Sequence, residues 1–553
     1  MGVVRFRAWS LVAGAFVALC TTSCGGGGSQ AARVLPGSAG SASAERTTAS
    51  AARPTEAATL QITMPLSPQD VASPVRSIAL LPLSVDGSRV TEPASTTNVS
   101  PGTGSCEATD TDGRFVCTLT AQLPIGTDEV QIAAYDARDG AGHLLSLTRF
   151  LAAVLEGKLH AFSTSCVPAY IVPVGVVGGG TSANAFVFDA TFTVQPGTLP
   201  ASPAVYSSAR FNSSRRLYIL DTDYDQIYTA QYVPGTGFTP GGTLTGLPPQ
   251  AANVTSAFGF DVSRRGSVAV VNTDGSSPQL DIYHSTGSST PTTPSATFTS
   301  TNFPPSTYEA VNPYINEAAP VTAVLDDERG RPFGVAYSVG QLSGSGAPDE
   351  IVVVPIGGGS ESEISSAAAG ITSQYVPDYY PGLMTWNAGR QTLIYANAHS
   401  LTSNTILELP RNGTTGASLT TTGEETVATV AGEPVSLAAS RGGNYVAVGY
   451  ANNTNETLSV AIYYNSGTTG GSGSWTLFST ATGSGSLGSA NFSQFTTMHF
   501  LPNDDLVIAN ASPDGSVQQL YEFAPSGASV IGATSISSTT GGNFEINDVA
   551  VSY

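Results

Sequence analysis

The feature that most constrains this chain is a strand–turn–strand phrase that recurs over its last 350 or so residues. It reads LYILDTDYDQIYTAQY from Leu217, SVAVVNTDGSSPQLDIYH from Ser267 and TLIYANAHSLTSNTILELP from Thr392. It returns as NYVAVGYANNTNETLSVAIYY from Asn444 and DLVIANASPDGSVQQLYEF from Asp505, with a looser copy from Pro332. Each copy has an apolar β-rich run, a polar turn begun near Asp or Asn, and a second β-rich run. A fixed period of this kind signals a repeat architecture.

A short strand precedes each phrase, as in AVYSSARFN, AFGFDVS, VTAVLDDE, YPGLMTWN, PVSLAAS and FTTMHFLPN, and a fourth run follows it. Four strands per unit and six units predict a β-propeller over residues 201–553. Six blades is the first count. Seven is the alternative, reached by recruiting residues 183–200. The phrase resembles the blades of NHL-type and YVTN-type propellers of bacterial secreted proteins. The chain ends INDVAVSY, which reads as an innermost strand with no hairpin after it, suited to closing the ring on the first blade and removing an open edge.

Residues 59–165 read as a β-sandwich, with strands LQITM, VRSIALLPLSV, RFVCTLTAQL, EVQIAAYDA and LLSLTRFLAAV between Pro, Gly, Asn and Asp clusters. The stretch from Pro124 into Tyr135 resembles bacterial immunoglobulin-like modules, which implies a spacer role. Cys106 and Cys117 flank a turn, and an oxidising compartment would join them. Residues 166–200 are assigned to neither unit and stand as a transition segment. The fold class is therefore all-β, an Ig-like sandwich followed by a propeller.

Residues 1–24 carry Arg5 and Arg7, an apolar run from Trp9 to Cys20, and then small residues, the pattern of a signal peptide. The run is shorter than the ~20 residues a membrane-spanning helix needs. The ending Thr21-Thr22-Ser23-Cys24 resembles a lipoprotein lipobox, although Thr21 stands where that family carries Leu. The resemblance implies lipidation of Cys24 and an outer-membrane or cell-surface location, periplasmic if the anchor faces inward. Residues 25–58 are mostly Gly, Ser, Ala and Thr with few apolar side chains and read as a flexible tether.

The formal net charge of −20 disfavours nucleic acid as a partner. The sequence carries no GxSxG, HExxH or P-loop, and its five histidines show no metal-binding helical spacing. In propeller geometry the turn inside each phrase and the loop leading into each innermost strand share one face. That places Asp221, Asp223, Asp225, Asp274, Glu317, Asp378, Tyr379, Tyr380, Glu433 and Asp548 around one acidic, aromatic mouth, the candidate binding surface. Asp221, Asp223 and Asp225 have the first spacings of a calcium loop but lack its Gly and Glu. No cofactor is assigned; a calcium or other divalent ion is the one class these carboxylates suit.

The reading that follows is a non-enzymatic, lipid-anchored envelope protein whose propeller binds a protein or glycan partner. The membrane is met through the lipid alone. The alternatives are a metal-dependent lactonase- or esterase-like propeller hydrolase and a purely structural envelope protein.

Overall fold

The computed structural model describes the strands and most of their connections between Thr55 and Ser552. Residues 1–54 and several connecting stretches, among them 300–321, 366–382 and 483–496, lie outside the described residues. Cys24 and Cys166 are among those outside. The described residues form antiparallel sheets almost throughout, and none of their helices is long and apolar enough to cross a membrane.

The N-terminal unit is a two-sheet sandwich. One sheet orders strands Cys106–Ala108, Phe115–Pro124, Thr55–Met64 and His160–Ser165. The other is built on Ser77–Val85, Thr127–Tyr135 and Leu144–Leu151. The first strand begins at Thr55, inside the stretch expected as tether. His160–Ser165 runs parallel to it and was not foreseen as a strand. Leu60, Leu119 and Leu123 from one sheet meet Ile78, Leu80 and Ile132 from the other in one core. Cys106 and Cys117 are directly opposite across adjacent strands and are joined, S–S 2.05 Å.

The remaining described strands form a ring of seven sheets. Six are consecutive four-stranded meanders, blades 1 to 6. Their innermost strands are Tyr206–Phe211, Phe258–Val262, Thr322–Asp326, Met384–Asn387, Glu433–Ala439 and Thr497–Phe500. Blade 7 is composite. Its innermost strand is the C-terminal Phe544–Val551, paired antiparallel with Tyr170–Val177, whose far edge carries Ser182–Ala185 and Phe188–Asp189. The innermost strands touch in cyclic order, with Phe544–Val551 between blades 6 and 1.

Two expectations are thereby corrected. The ring has seven blades rather than the six put first, and the terminal strand closes it by completing a blade of its own rather than extending blade 1. Residues 170–189, expected as an unassigned transition, supply the rest of that blade.

The apolar runs of the phrase have a physical reason. A blade is covered on both faces, so its strands alternate between two buried environments and not between core and water. In blade 7, Tyr170, Val172 and Val174 point to blade 1 and meet Tyr206, Ala209 and Leu217, whereas Ile171 points to blade 6 and meets Leu501, Val507 and Leu520. Each of the seven seams between blades holds such an apolar cluster. The seam of blades 4 and 5 adds a polar staple. Arg390 Nε donates to Glu408 Oε1 at 2.9 Å, and Trp475 Nε1 donates to Glu408 Oε2 at 2.7 Å.

The turn from innermost to second strand repeats as well. The N–H of the residue that opens it reaches across to a carbonyl of the next strand, as in Asn212 to Arg216, Ser263 to Ser267, Asp327 to Arg331 and Leu501 to Asp505. The fourth residue has positive φ, namely Arg215, Gly266, Gly330 and Asp504, and glycine or Asp meets that requirement at least cost.

Candidate functional site

These repeated turns rim one mouth of the central channel. The channel is a cavity of about 220 Å³ walled by all seven innermost strands and, at the rim, by Arg264, Ala388 and Ser440. Its wall is divided. Blades 4 and 5 contribute Met384, Thr385, Trp386, Leu437 and Ala439, a mainly apolar arc. Blades 6, 1, 2 and 3 contribute His499, Arg210, Asp261 and Asp326, a charged arc, and Asp548 of blade 7 is buried beside it against Arg210.

Side chains within the charged arc are paired with their neighbours around the ring, some by hydrogen bonds and some at longer ion-pair distance. His499 Nε2 lies 3.9 Å from Asp548 Oδ1. Arg210 Nη1 donates to Asp548 Oδ2 at 2.5 Å, and that oxygen also accepts from Ser208 Oγ at 2.6 Å and the Ala209 N–H at 3.1 Å. On its other side Arg210 Nε stands 3.6 Å from Asp261 Oδ1. Asp261 Oδ2 accepts the Val324 N–H of blade 3 at 2.7 Å. Nearer the rim, Arg264 grips Asp326 through Nε at 3.0 Å and Nη2 at 3.1 Å, and its own N–H donates to the same carboxylate.

The groups differ in how their protons are held. Burial alone would raise Asp548, but Arg210, His499 and Ser208 together outweigh it and hold the carboxyl well below the usual range. Asp261 has the opposite balance. Burial dominates, Arg210 and two backbone N–H groups offset it only in part, and the carboxyl is pushed up to about 6. Burial lowers His499, against the pull of Asp548, so the imidazole is neutral near pH 7.

The residues expected at an acidic mouth are distributed differently. Asp548 is not on a loop leading into a strand; it lies within the innermost strand of blade 7, buried beside the channel lining. Asp221 ends the second strand of blade 1 with no exposed surface, where it and Tyr228 add to burial in raising the Tyr206 phenol. Glu433 is the first residue of its innermost strand, at the end opposite the rim. Asp223, Asp225, Asp274, Glu317, Asp378, Tyr379 and Tyr380 lie outside the described residues. Among the described residues no three His, Cys, Asp or Glu side chains stand together as a metal-holding group.

Arg210, Asp261, Arg264, Asp326 and His499 were not singled out as site residues. The signal was present in part. Arg210, Asp261 and His499 each stand two residues before the residue that opens the turn, Asn212, Ser263 and Leu501, so aligning the short strands on their turns brings the three into one register.

The sandwich meets the propeller at blades 6, 7 and 1. His143 Nδ1 is 2.8 Å from Glu522 Oε2, the Ala169 N–H donates to Leu145 O at 2.9 Å, and Arg215 Nη2 donates to Leu147 O.

The fold defined by these sheets is a seven-bladed β-propeller carried behind a β-sandwich, with a channel charged along one arc. No protein-family model and no curated protein matches the sequence. Several solved structures are similar in fold. A functionally unknown protein of Desulfotomaculum acetoxidans is 13% identical, with TM-score 0.44, covering 69% of this chain and 99% of that one. A periplasmic gluconolactonase of Pseudomonas aeruginosa is 12% identical, with TM-score 0.43, covering 70% and 99%. Hydrazine synthase of Kuenenia stuttgartiensis is 11% identical, with TM-score 0.38, covering 62% and 90%.

Proposed function

We propose that this chain is an exported, lipid-anchored envelope protein that binds a partner through its propeller and does not transform it. Cys24 carries the lipid, residues 25–54 tether the folded units, and the immunoglobulin-like sandwich holds the propeller away from the membrane. The observation that carries the reading is the pairing in the charged arc. Arg210 and Arg264 are each committed to a carboxylate, and Asp548 is held ionised by its partners. Groups so satisfied make a rigid, polar wall suited to recognition. A nucleophile or base poised for turnover would need a looser setting than these three groups have. The partner is a protein or glycan of the cell envelope, met at the rim of turns around the channel.

The test uses the purified full chain. Co-sedimentation with isolated envelope glycan or with envelope proteins fixed to beads is expected to be saturable, with no turnover of a lactone and ester panel with or without added calcium. Saturable hydrolysis of any member of that panel would overturn the reading in favour of a lactonase- or esterase-like enzyme. Cys24→Ala is expected to release the protein from the membrane fraction.

A further inference from the structure

The channel has an unbalanced charge with a definite address. Among the described residues, Asp261 and Asp326 line it and Asp548 is buried against Arg210, three carboxylates to the two guanidinium groups of Arg210 and Arg264, and His499 adds no charge near pH 7. Arg264 is matched to Asp326 through two N–H groups of its side chain. Arg210 is drawn to Asp548, at 2.5 Å, and stands off from Asp261 at 3.6 Å, beyond hydrogen-bond reach. The surplus negative charge therefore rests on Asp261. Its Oδ2 is used by the Val324 N–H, while Oδ1 has Arg210 at 3.6 Å and the side chain lines the cavity with 21% of its surface exposed. Across the channel lies the apolar arc of Met384, Trp386 and Leu437.

We propose that the channel binds a small organic ammonium ion, with Asp261 Oδ1 accepting its N–H groups and the arc of Met384, Trp386 and Leu437 holding its apolar body. A carboxylate and an ammonium make a charge-assisted hydrogen bond, stronger inside a protein wall than in water. The chain's net charge of −20 raises the local concentration of cations around it. An anionic ligand finds no equivalent partner, because both guanidinium groups already face carboxylates. The ligand lies within the channel and the partner at its rim; titration with the amine reads the first and co-sedimentation the second, so the failure of either proposal is read separately.

The complex requires Asp261 ionised. Around that carboxyl, burial and Asp326 favour the proton, while Arg210 and the N–H groups of Val262 and Val324 oppose it; the balance sits at about 6. His499 and Asp548 lie one step further round the arc. Affinity should therefore be level near pH 7 and fall as pH drops below about 6, approaching tenfold per pH unit.

The experiment is calorimetric titration of the full chain with phenethylamine, with phenylacetate and 2-phenylethanol as matched probes, at about 0.15 M salt, where general attraction to the acidic surface is screened. The proposal expects one-to-one binding of the amine, no binding of phenylacetate, and a loss of at least about tenfold in Asp261→Asn, the scale of one charge-assisted hydrogen bond. Should that variant fail to fold, Leu437→Trp fills the apolar arc and is expected to weaken the amine while leaving Asp261 in place. No binding of the amine, equal binding of phenylacetate, or unchanged affinity in both variants would overturn the proposal.

Discussion

Arg210 on the first blade holds Asp548 on the last, 338 residues further along the chain, with the guanidinium 2.5 Å from the carboxylate. The contact spans the seam where the C-terminal strand completes the ring. It is a partly buried pair, with side-chain exposures of 29% and 8%, so removing one member strands the other. Arg210→Met is expected to destabilise the propeller by roughly 3 kcal/mol, read from urea unfolding. Asp548 is lower in proton affinity folded than unfolded. Its contribution is therefore complete above the unfolded value of about 3.9 and lost as pH falls through the lower folded value. Arg210→Met should flatten that acid limb.

Asp261 gives the opposite slope. Its folded value of about 6 lies above the ordinary carboxylate value, so the folded state takes up the proton more readily. The stability it contributes is full below about pH 4 and lost as pH rises to about 6, at most about 3 kcal/mol for a two-unit difference. Asp261→Asn should remove this fall and leave the protein more stable than wild type near pH 7. Urea midpoints for both proteins between about pH 4 and 7 isolate the difference; parallel profiles would contradict it.

At the sandwich–propeller contact, Glu522 is wholly buried, with His143 on one oxygen and no hydrogen-bond partner on the other. His143→Ala removes the neighbour of a buried carboxyl, while Glu522→Gln removes the charge itself. The first should therefore cost more, about 3 kcal/mol, and should separate the sandwich and propeller into two calorimetric transitions. The double variant should cost less than the sum of the singles.

The Cys106–Cys117 bridge closes a short loop within one sheet of the sandwich. Replacing both with Ser should lower sandwich stability by about 2–3 kcal/mol through a freer unfolded chain. The propeller's own unfolding, followed by the fluorescence of Trp386 and Trp475, should not shift.

The hairpin phrase disclosed blades 1 to 6 because each carries its own covalently local strands. Blade 7 has no such phrase. Its innermost strand and its second strand lie at opposite ends of the propeller sequence, and Ser182–Ala185 and Phe188–Asp189 are too short to advertise a blade. The channel was hidden for a related reason. Asp548 was legible as a candidate, but its partner Arg210 becomes a neighbour only once the ring has closed. Asp221 misled because an Asp at a turn reads as solvated, whereas here the strand end is wholly buried and stands opposite Tyr206 in the adjacent strand.

The seven-bladed closure is tested most directly by a crosslink. Val172 and Ala550 are directly opposite in blade 7, both buried in the seam with blade 1. In the double variant Val172→Cys, Ala550→Cys, mild oxidation of the folded protein should join the two introduced thiols, seen as one linked peptide pair in a non-reducing digest. Two separate thiols after oxidation, with the fold intact by circular dichroism, would contradict the closure and the channel wall built on it.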